Sequence, residues 1–267
     1  MSEITEGFRV PEEPTAAEKP AKTWQDYGRE WLDTLVVALS VALAFRAYFF
    51  EPFNIPTGSM QETLWGYHTV AGVERGAWDA VPLKWLKWLW TGERVVEYVA
   101  PTSGTVRAFP RNDGFADLSI GLSRERFRLP TDACRGLVGR TVRKGETLWK
   151  GAIVTGDFIF VNRWRWNFRK PRVGDVMIFS TTGIEGLQQG THYIKRMKAV
   201  PGETYALEHP VEGRPAEVTM GANEYFACGD NFNNSFDSRY WGPVPGANLR
   251  GLGSVVFWPI NGWRIIR

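Results

Sequence analysis

The sequence predicts a mainly β protein, built as a barrel or a pair of curved sheets. One N-terminal membrane-spanning helix precedes the β region and an inserted subdomain interrupts it. Three observations carry this reading. A dense apolar run lies near the N-terminus. Short β-branched or aromatic runs, bounded by Gly, Pro or Asn, dominate the chain after Pro56. A Trp-rich, Gly-punctuated block separates the first of these regions from the second.

The chain has 267 residues, 43% of them hydrophobic, with thirteen Trp. That is the composition of a folded protein with a sizeable core. A formal net charge of +3 is too slight for a dedicated nucleic-acid binder, so no nucleic-acid partner is expected. The two cysteines, Cys134 and Cys228, are too few for a disulfide framework or a zinc site, and whether they are bridged is left open. His68, His192 and His209 are the only histidines. No metal or cofactor is therefore expected.

Taken in order, residues 1–23 are rich in Glu, Pro, Ala and Lys without an apolar period, and read as a disordered tail. The run "WLDTLVVALSVALAFRAYFF", residues 31–50, follows. Its only charges are Asp33 and Arg46, and twenty helical residues reach about 30 Å, the thickness of a bilayer core. Arg46 is placed to snorkel, and Trp31, Tyr48 and the Phe pair suit the interfaces. A buried core helix and a cleaved secretory signal are the alternatives. The second fits poorly, since an acidic tail precedes the run and no A-x-A site follows it.

Residues 65–155 read as the inserted block. In "VPLKWLKWLW", Trp85, Trp88 and Leu89 recur at helical spacing with Lys84 and Lys87 between them. A helix lying on a membrane surface and a Trp face packed on the β domain fit equally well. "EYVAPTSGTVRAF" and "VRKGETLWKGAIV" suggest a small β subdomain. Beyond the block, "DFIFVNRW", "DVMIFS", "HYIKRMKAV", "EYFACGD" and "SVVFW" read as strands. Phosphate-binding glycine loops are absent.

The chemistry gathers in three stretches. In "FEPFNIPTGSMQETL", Thr57, Gly58 and Ser59 stand on a Pro/Gly bend just after the apolar run. Ser59 needs a base to act as a nucleophile, and no His/Asp arrangement accompanies it. Lys195, in "HYIKR", offers another base. Strand alternation sends Tyr193 and Lys195 to one face and Ile194 to the other. A lysine serves as a base only when neutral, which burial promotes. On spacing alone, a surface lysine beside Arg196 is the simpler reading. The third stretch, "GDNFNNSFDSRYWGPVP", is either a loop of Asx turns or a polar shelf in which Ser235 and an Asp237–Arg239 pair face a catalytic group.

Taken in order, the apolar helix, "PTGSM", "GDFIFVNR", "YIKR" with "VPGE", and "GDNFNNSFDSRYWG" resemble bacterial signal peptidase I. That family comprises membrane-bound Ser/Lys endopeptidases that remove signal peptides from exported proteins. The resemblance covers residues 31–64 and 156–258. It implies a nucleophile at Ser59 and a general base at Lys195. It implies an oxyanion hole from the Thr57 hydroxyl and the Ser59 N–H, with Ser235 orienting the lysine and Asp237 and Arg239 in support. Phe53, Ile55, Pro56, Tyr193 and Ile194 are implied as the substrate-binding walls, with cleavage after Ala-x-Ala-type small residues.

The implied partners are signal-peptide-bearing preproteins and the lipid bilayer. The implied layout is a cytoplasmic tail at 1–30, a single span at 31–50 in the cytoplasmic membrane, and an extracytoplasmic catalytic domain at 51–267, interrupted by 65–155. Glu62 and Phe232 depart from the family's usual Pro and Arg. A self-cleaving repressor protease is one rival reading, and an inactive relative serving as a membrane-anchored binding module is another. The first lacks support in any DNA-binding helix pair, and the second would be expected to lack Ser59 or Lys195.

Overall fold

The computed structural model describes residues 23–111, 114–208 and 211–267. The tail assigned to residues 1–23 therefore lies outside the described residues, Thr23 excepted, and His209 lies outside them too. Two compact units are present, the first ending at Phe45 and the second running from Arg46 to Arg267.

The first unit is most of helix α1 (Trp24–Tyr48). Its start is fixed by a reciprocal cap. Thr23 Oγ1 accepts from the Asp26 N–H at 3.4 Å, and Asp26 Oδ2 accepts from the Thr23 N–H at 2.8 Å, which satisfies donors the first turn leaves open. The helix begins seven residues earlier than the apolar run, and its side chains from Trp24 to Arg46 are exposed. Among the described residues, no helix is long and apolar enough to cross a membrane. Asp33 and Arg46 bracket twelve uncharged residues, Thr34–Phe45, which reach only about 18 Å.

In the second unit, β1 (Phe50–Asn54) leads into the block holding β2 (His68–Ala71), α2 (Leu83–Thr91), β3 (Glu93–Val99), β4 (Gly104–Pro110), β5 (Phe115–Ile120), β6 (Phe127–Pro130), β7 (Thr141–Val142) and β8 (Thr147–Val154). Then come β9 (Phe158–Asn162), the one-turn helix α3 (Arg165–Phe168), β10 (Val176–Ser180), β11 (His192–Ala199), β12 (Thr204–Ala206), β13 (Glu217–Thr219) and β14 (Glu224–Cys228). The one-turn helix α4 (Ser238–Trp241), β15 (Val244–Pro245), β16 (Leu249–Trp258) and β17 (Arg264–Ile265) complete the chain.

Among the described residues, eight strands form one antiparallel sheet in the order β1-β9-β16-β10-β11-β14-β15, with β17 beside β16. Register shifts within the pairs β9–β16, β10–β16 and β11–β14 add local twist, and bulges of this kind curl a sheet. β10 is buried throughout and shows why the sheet is covered on both faces. Val176 and Ile178 join a core with Ile55, Met60, Leu64 and Val256. Met177 and Phe179, one step out of phase, join another with Met197, Tyr225 and Val244. A period of two with both phases apolar is what a doubly covered strand requires.

The inserted block makes two small sheets, β2-β8-β3 and β6-β5-β4-β7. Val106, Leu118, Ile120, Leu129 and Trp149 form a core of their own there. Cys134 belongs to that core and Cys228 to a different one with Phe226 and Met220. Both are free, so they are not bridged. Helix α2 stops at Gly92, whose left-handed conformation (φ +70°) lets its N–H reach the Trp88 carbonyl at 2.8 Å.

Candidate active site

Ser59 sits in a one-turn 3-10 helix, Gly58–Met60, entered from an extended Thr57. Its neighbours set its direction. Met60 and Leu64 are fully buried in the core that Ile178 and Val256 share. With those two pinned inward, the turn presents Ser59 to a cleft of about 710 Å³. The cleft is also lined by Pro56, Thr57, Tyr193, Ile194, Lys195 and Ser235.

Lys195 lies on β11, opposite Met177 of β10. It is 4% exposed, so the simpler reading as a surface lysine fails. Its Nζ is 2.7 Å from Ser59 Oγ. Burial pulls the Lys195 amine from 10.5 down to about 8, against the opposing pull of the nearby Asp237 charge. Desolvation disfavours the ammonium form. A substantial fraction of Lys195 is therefore neutral in mildly alkaline solution, where Nζ can accept the serine proton.

The stretch after β14 clamps this pair from the other side. The Asn231 N–H donates to the Ser59 carbonyl at 3.1 Å, and Asn231 Nδ2 donates to the Gly58 carbonyl at 3.2 Å. Gly229 passes so close that a Cβ there would collide with Ser235 Oγ and the Ser59 carbonyl, which accounts for the residue type. Asp237 and Arg239 form a fully buried pair, with Nε–Oδ1 at 2.8 Å and Nη2–Oδ2 at 3.0 Å. Asp237 Oδ2 also accepts from the Gly229 N–H at 3.0 Å. Arg239 donates to the Phe232 and Ser235 carbonyls at 2.9 and 3.3 Å. Its guanidinium lies 5.0 Å from the centre of the Phe232 ring. The pair thus ties both ends of the loop together.

Ser235 behaves differently from the sequence expectation. It is buried in the cleft wall, but its Oγ has no hydrogen-bond partner, so the expected bond to Lys195 is not made. Of the implied substrate walls, Pro56, Tyr193 and Ile194 line the cleft. Phe53 and Ile55 do not. Ile55 is 2% exposed and packs in the core with Met60, because its N–H bonds the Asp157 carbonyl at 2.9 Å and carries the chain inward past the end of β1. Phe53 makes an edge contact with the His192 ring at 5.5 Å. His192 lines the cleft but holds no acidic partner among the described residues.

Two further braces escaped sequence reasoning. Arg196 grips Asp230 with bonds of 2.7 and 2.8 Å and reaches Thr63 Oγ1 at 3.0 Å. Asp157, buried, accepts from the Trp65 N–H at 2.8 Å and from Arg264 Nη2 at 2.6 Å. Together they fix the chain on the C-terminal side of Ser59. Gly156 precedes Asp157 where a Cβ would strike the Ile55 carbonyl, and that "GD" step was the one local signal.

The chain matches the family profile described as signal peptidase, peptidase S26, over residues 149–212 and 209–258. That stretch includes Lys195, Ser235, Asp237 and Arg239, and Ser59 precedes it. A signal peptidase I of Leptolyngbya laminosa is 33% identical over 127 residues, covering 39% of this chain and 62% of that protein. A probable signal peptidase I-1 of Synechocystis sp. is 33% identical over 129 residues, covering 40% of this chain and 65% of that protein. A signal peptidase I of Buchnera aphidicola subsp. Schizaphis graminum is 23% identical over 252 residues, covering 85% and 73%. The chain spans less than two thirds of the length of the first two relatives.

Proposed function

We propose that the chain is a member of the signal peptidase I family, a serine endopeptidase removing signal peptides from exported precursors. The observation that carries this reading is the 2.7 Å approach of Lys195 Nζ to Ser59 Oγ in a buried setting. Ser59 attacks the scissile carbonyl as neutral Lys195 takes its proton. Thr57, exposed at the cleft edge, and the Ser59 N–H receive the oxyanion. Such donors contribute about 3–4 kcal/mol each. The lysine, now protonated, returns its proton to the leaving amine and then activates water against the acyl-enzyme. Ser235, whose unpartnered hydroxyl lies in the same cleft wall, is the group that would orient the amine. Pro56, Tyr193 and Ile194 form walls that favour small side chains, Ala-x-Ala in type.

The anchor belongs to the same proposal. Leu35–Phe45 of α1 is apolar apart from Ser40, and a span is completed if Asp33 and Arg46 snorkel to the two interfaces. Residues 1–30 are then cytoplasmic, and Glu51 onward is outside. Incubating the purified chain with an unprocessed precursor and sequencing the new N-terminus tests the activity. Cleavage after a small residue supports it, and an intact precursor beside folded protein overturns it. Labelling an engineered cysteine in the 65–155 block with an impermeant reagent tests the topology. Protection in spheroplasts with labelling after lysis overturns it.

A further inference from the structure

A second groove, of about 850 Å³, opens beside the turn that carries Ser59. One side is lined by residues that follow the serine, Glu62, Thr63 and Trp65 among them, and the other by Asp230 and the loop residues after it. Asn233 lines both this groove and the cleft that holds Ser59 and Lys195, so the two depressions meet there. Glu62 and Phe232, the two departures from the family's usual residues, both line the groove.

The walls are held by bonds that leave one charge over. Arg196 grips both oxygens of Asp230 at 2.7 and 2.8 Å, and its Nη2 donates to Thr63 Oγ1 at 3.0 Å. Arg264 Nη2 donates to the Thr63 carbonyl at 2.8 Å and to Asp157 at 2.6 Å. The Asp230 carboxylate is thus neutralised, and both guanidinium groups are committed. Lys198 lies over the Phe232 ring at 5.2 Å and does not line the groove. Glu62 is the exception. It is exposed, and among the described residues its carboxylate holds neither an ion pair nor a hydrogen bond. Trp65, on the same side of the groove, is 43% exposed.

The path of the substrate and the residue types select the occupant. Pro56, Tyr193 and Ile194 wall the acyl half of the substrate in the first cleft. The half that leaves as an amine runs off the other side of Ser59, where the groove continues from Asn233. An unpaired carboxylate near a part-exposed indole suits a cation on an aliphatic stem. The charge meets Glu62, and the stem or the cation rests on the indole. Lys and Arg have that form. An acidic side chain at the same place would meet the Glu62 charge instead.

We propose, resting on the peptidase reading above, that this groove receives the first residues of the substrate after the scissile bond. Glu62 is its specificity-determining carboxylate, and it selects precursors that carry Lys or Arg in that stretch.

Peptides spanning a precursor's cleavage site test this with the full chain in detergent. Lys, Gln or Glu is placed at each of the first four residues after the cut, one position at a time, and kcat/KM is measured. At one or two adjacent positions the Lys peptide should exceed the Gln peptide about threefold, and the Glu peptide should fall below it by a similar factor, as an exposed ion pair allows. Glu62→Gln should bring the Lys-to-Gln ratio close to one, and Glu62→Lys should invert it. The native ratio should also shrink toward one in about 1 M salt, where charges are screened within about 3 Å. Equal cleavage of the three peptides at every position overturns the proposal and leaves the peptidase reading standing. So does a Lys advantage that Glu62→Gln retains, which puts the selecting group elsewhere. Folded protein that cuts none of the peptides overturns the peptidase reading, and the proposal with it.

Discussion

Around Ser59 and Lys195 nearly every polar group is held by another. Asn231 grips the turn that carries the serine, Asp237 and Arg239 hold the loop that carries Asn231, and Arg196 and Asp157 hold the chain beyond it. Around α2 the opposite arrangement stands. The Trp258 indole N–H on the Leu89 carbonyl, the Trp88–Trp258 ring contact and the Lys87–Asp79 pair fasten the helix, while Trp85, Leu86 and Trp90 stay more than half exposed. The first region withstands the cost of burying charge and an amine because the bracing is redundant. The second exposes apolar area that water disfavours. Each departs from what stability alone would select, in opposite directions, and that contrast makes both functional candidates.

The comparison is broken most forcefully at the dyad. Lys195→Arg keeps the positive charge but cannot supply a neutral base. Precursor cleavage should fall by about 10²–10⁴-fold. Ser59→Ala should be as inactive as the double variant, since the two act as one unit. Circular dichroism should show each variant folded. A folded Lys195→Arg enzyme with near-normal turnover would send the proton elsewhere, with His192 at the cleft edge the next candidate.

The bracing itself is the next largest effect. Asp237→Ala leaves Arg239 buried without its carboxylate and removes the acceptor of the Gly229 N–H. Urea unfolding should register a loss of about 3–5 kcal/mol. A loss below about 1 kcal/mol would mean the loop is held mainly by Asn231 and Arg196.

Lys195 sharpens the contrast through pH. Its amine is held at about 8 in the fold against an ordinary 10.5. Between those values the unfolded chain carries a proton there that the folded one lacks, so stability rises with pH across that window. As pH falls through about 8 the folded state must bind the proton in its buried site, and below that the penalty is complete. Activity should climb as pH rises through about 8 and level off above it. Lys195→Met removes the group, and at neutral pH it should stabilise the fold by about 3 kcal/mol while abolishing cleavage. Equal stability of the two proteins at pH 7 would mean that water reaches the amine.

Ser235 is a smaller and more delicate test. Its buried Oγ has no partner, and a hydroxyl left so costs about 1–3 kcal/mol. Ser235→Ala should therefore raise stability by about 1 kcal/mol while lowering turnover. A variant that loses both would place the hydroxyl in the bracing rather than with the amine.

How much of this was legible in the sequence depends on the range of each interaction. The strands around Lys195 were readable because alternation and flanking Gly or Pro are local signals. Ser59, Lys195 and Asp237–Arg239 were readable because they lie in compact stretches that resemble a known family. The Arg264–Asp157 brace joins residues 107 positions apart, and Arg196–Thr63 joins residues 133 apart. No periodicity records such pairings, since the sheet order creates them. Ile55, implied as a wall by the resemblance, packs in the core with Met60, where its N–H meets the Asp157 carbonyl 102 positions away, a pairing no local pattern records. The missing Ser235 bond is a rotamer choice, which spacing does not encode. The helix itself was legible in its apolar run, with Asp33 and Arg46 as the only charges between Trp31 and Phe50.

The smallest expected effect falls on the other side of the comparison. Trp85→Ser and Trp90→Ser remove side chains that are more than half exposed and make no hydrogen bond. In detergent-free buffer such surface changes should alter unfolding free energy by no more than about 0.5 kcal/mol. Solubility should improve, because apolar surface has been taken from contact with water. Trp88→Ser is the internal control. Trp88 lies against Trp258 at 4.8 Å, and aromatic pairs of this kind contribute about 0.5–1.5 kcal/mol beyond their buried area. It should therefore cost more than either neighbour, although all three sit on one nine-residue helix. Urea titration of the three variants checks the ordering. If Trp85→Ser or Trp90→Ser proves as costly as Trp88→Ser, the outer face of α2 is already packed in solution. The contrast between a braced cleft and a bare surface would then disappear.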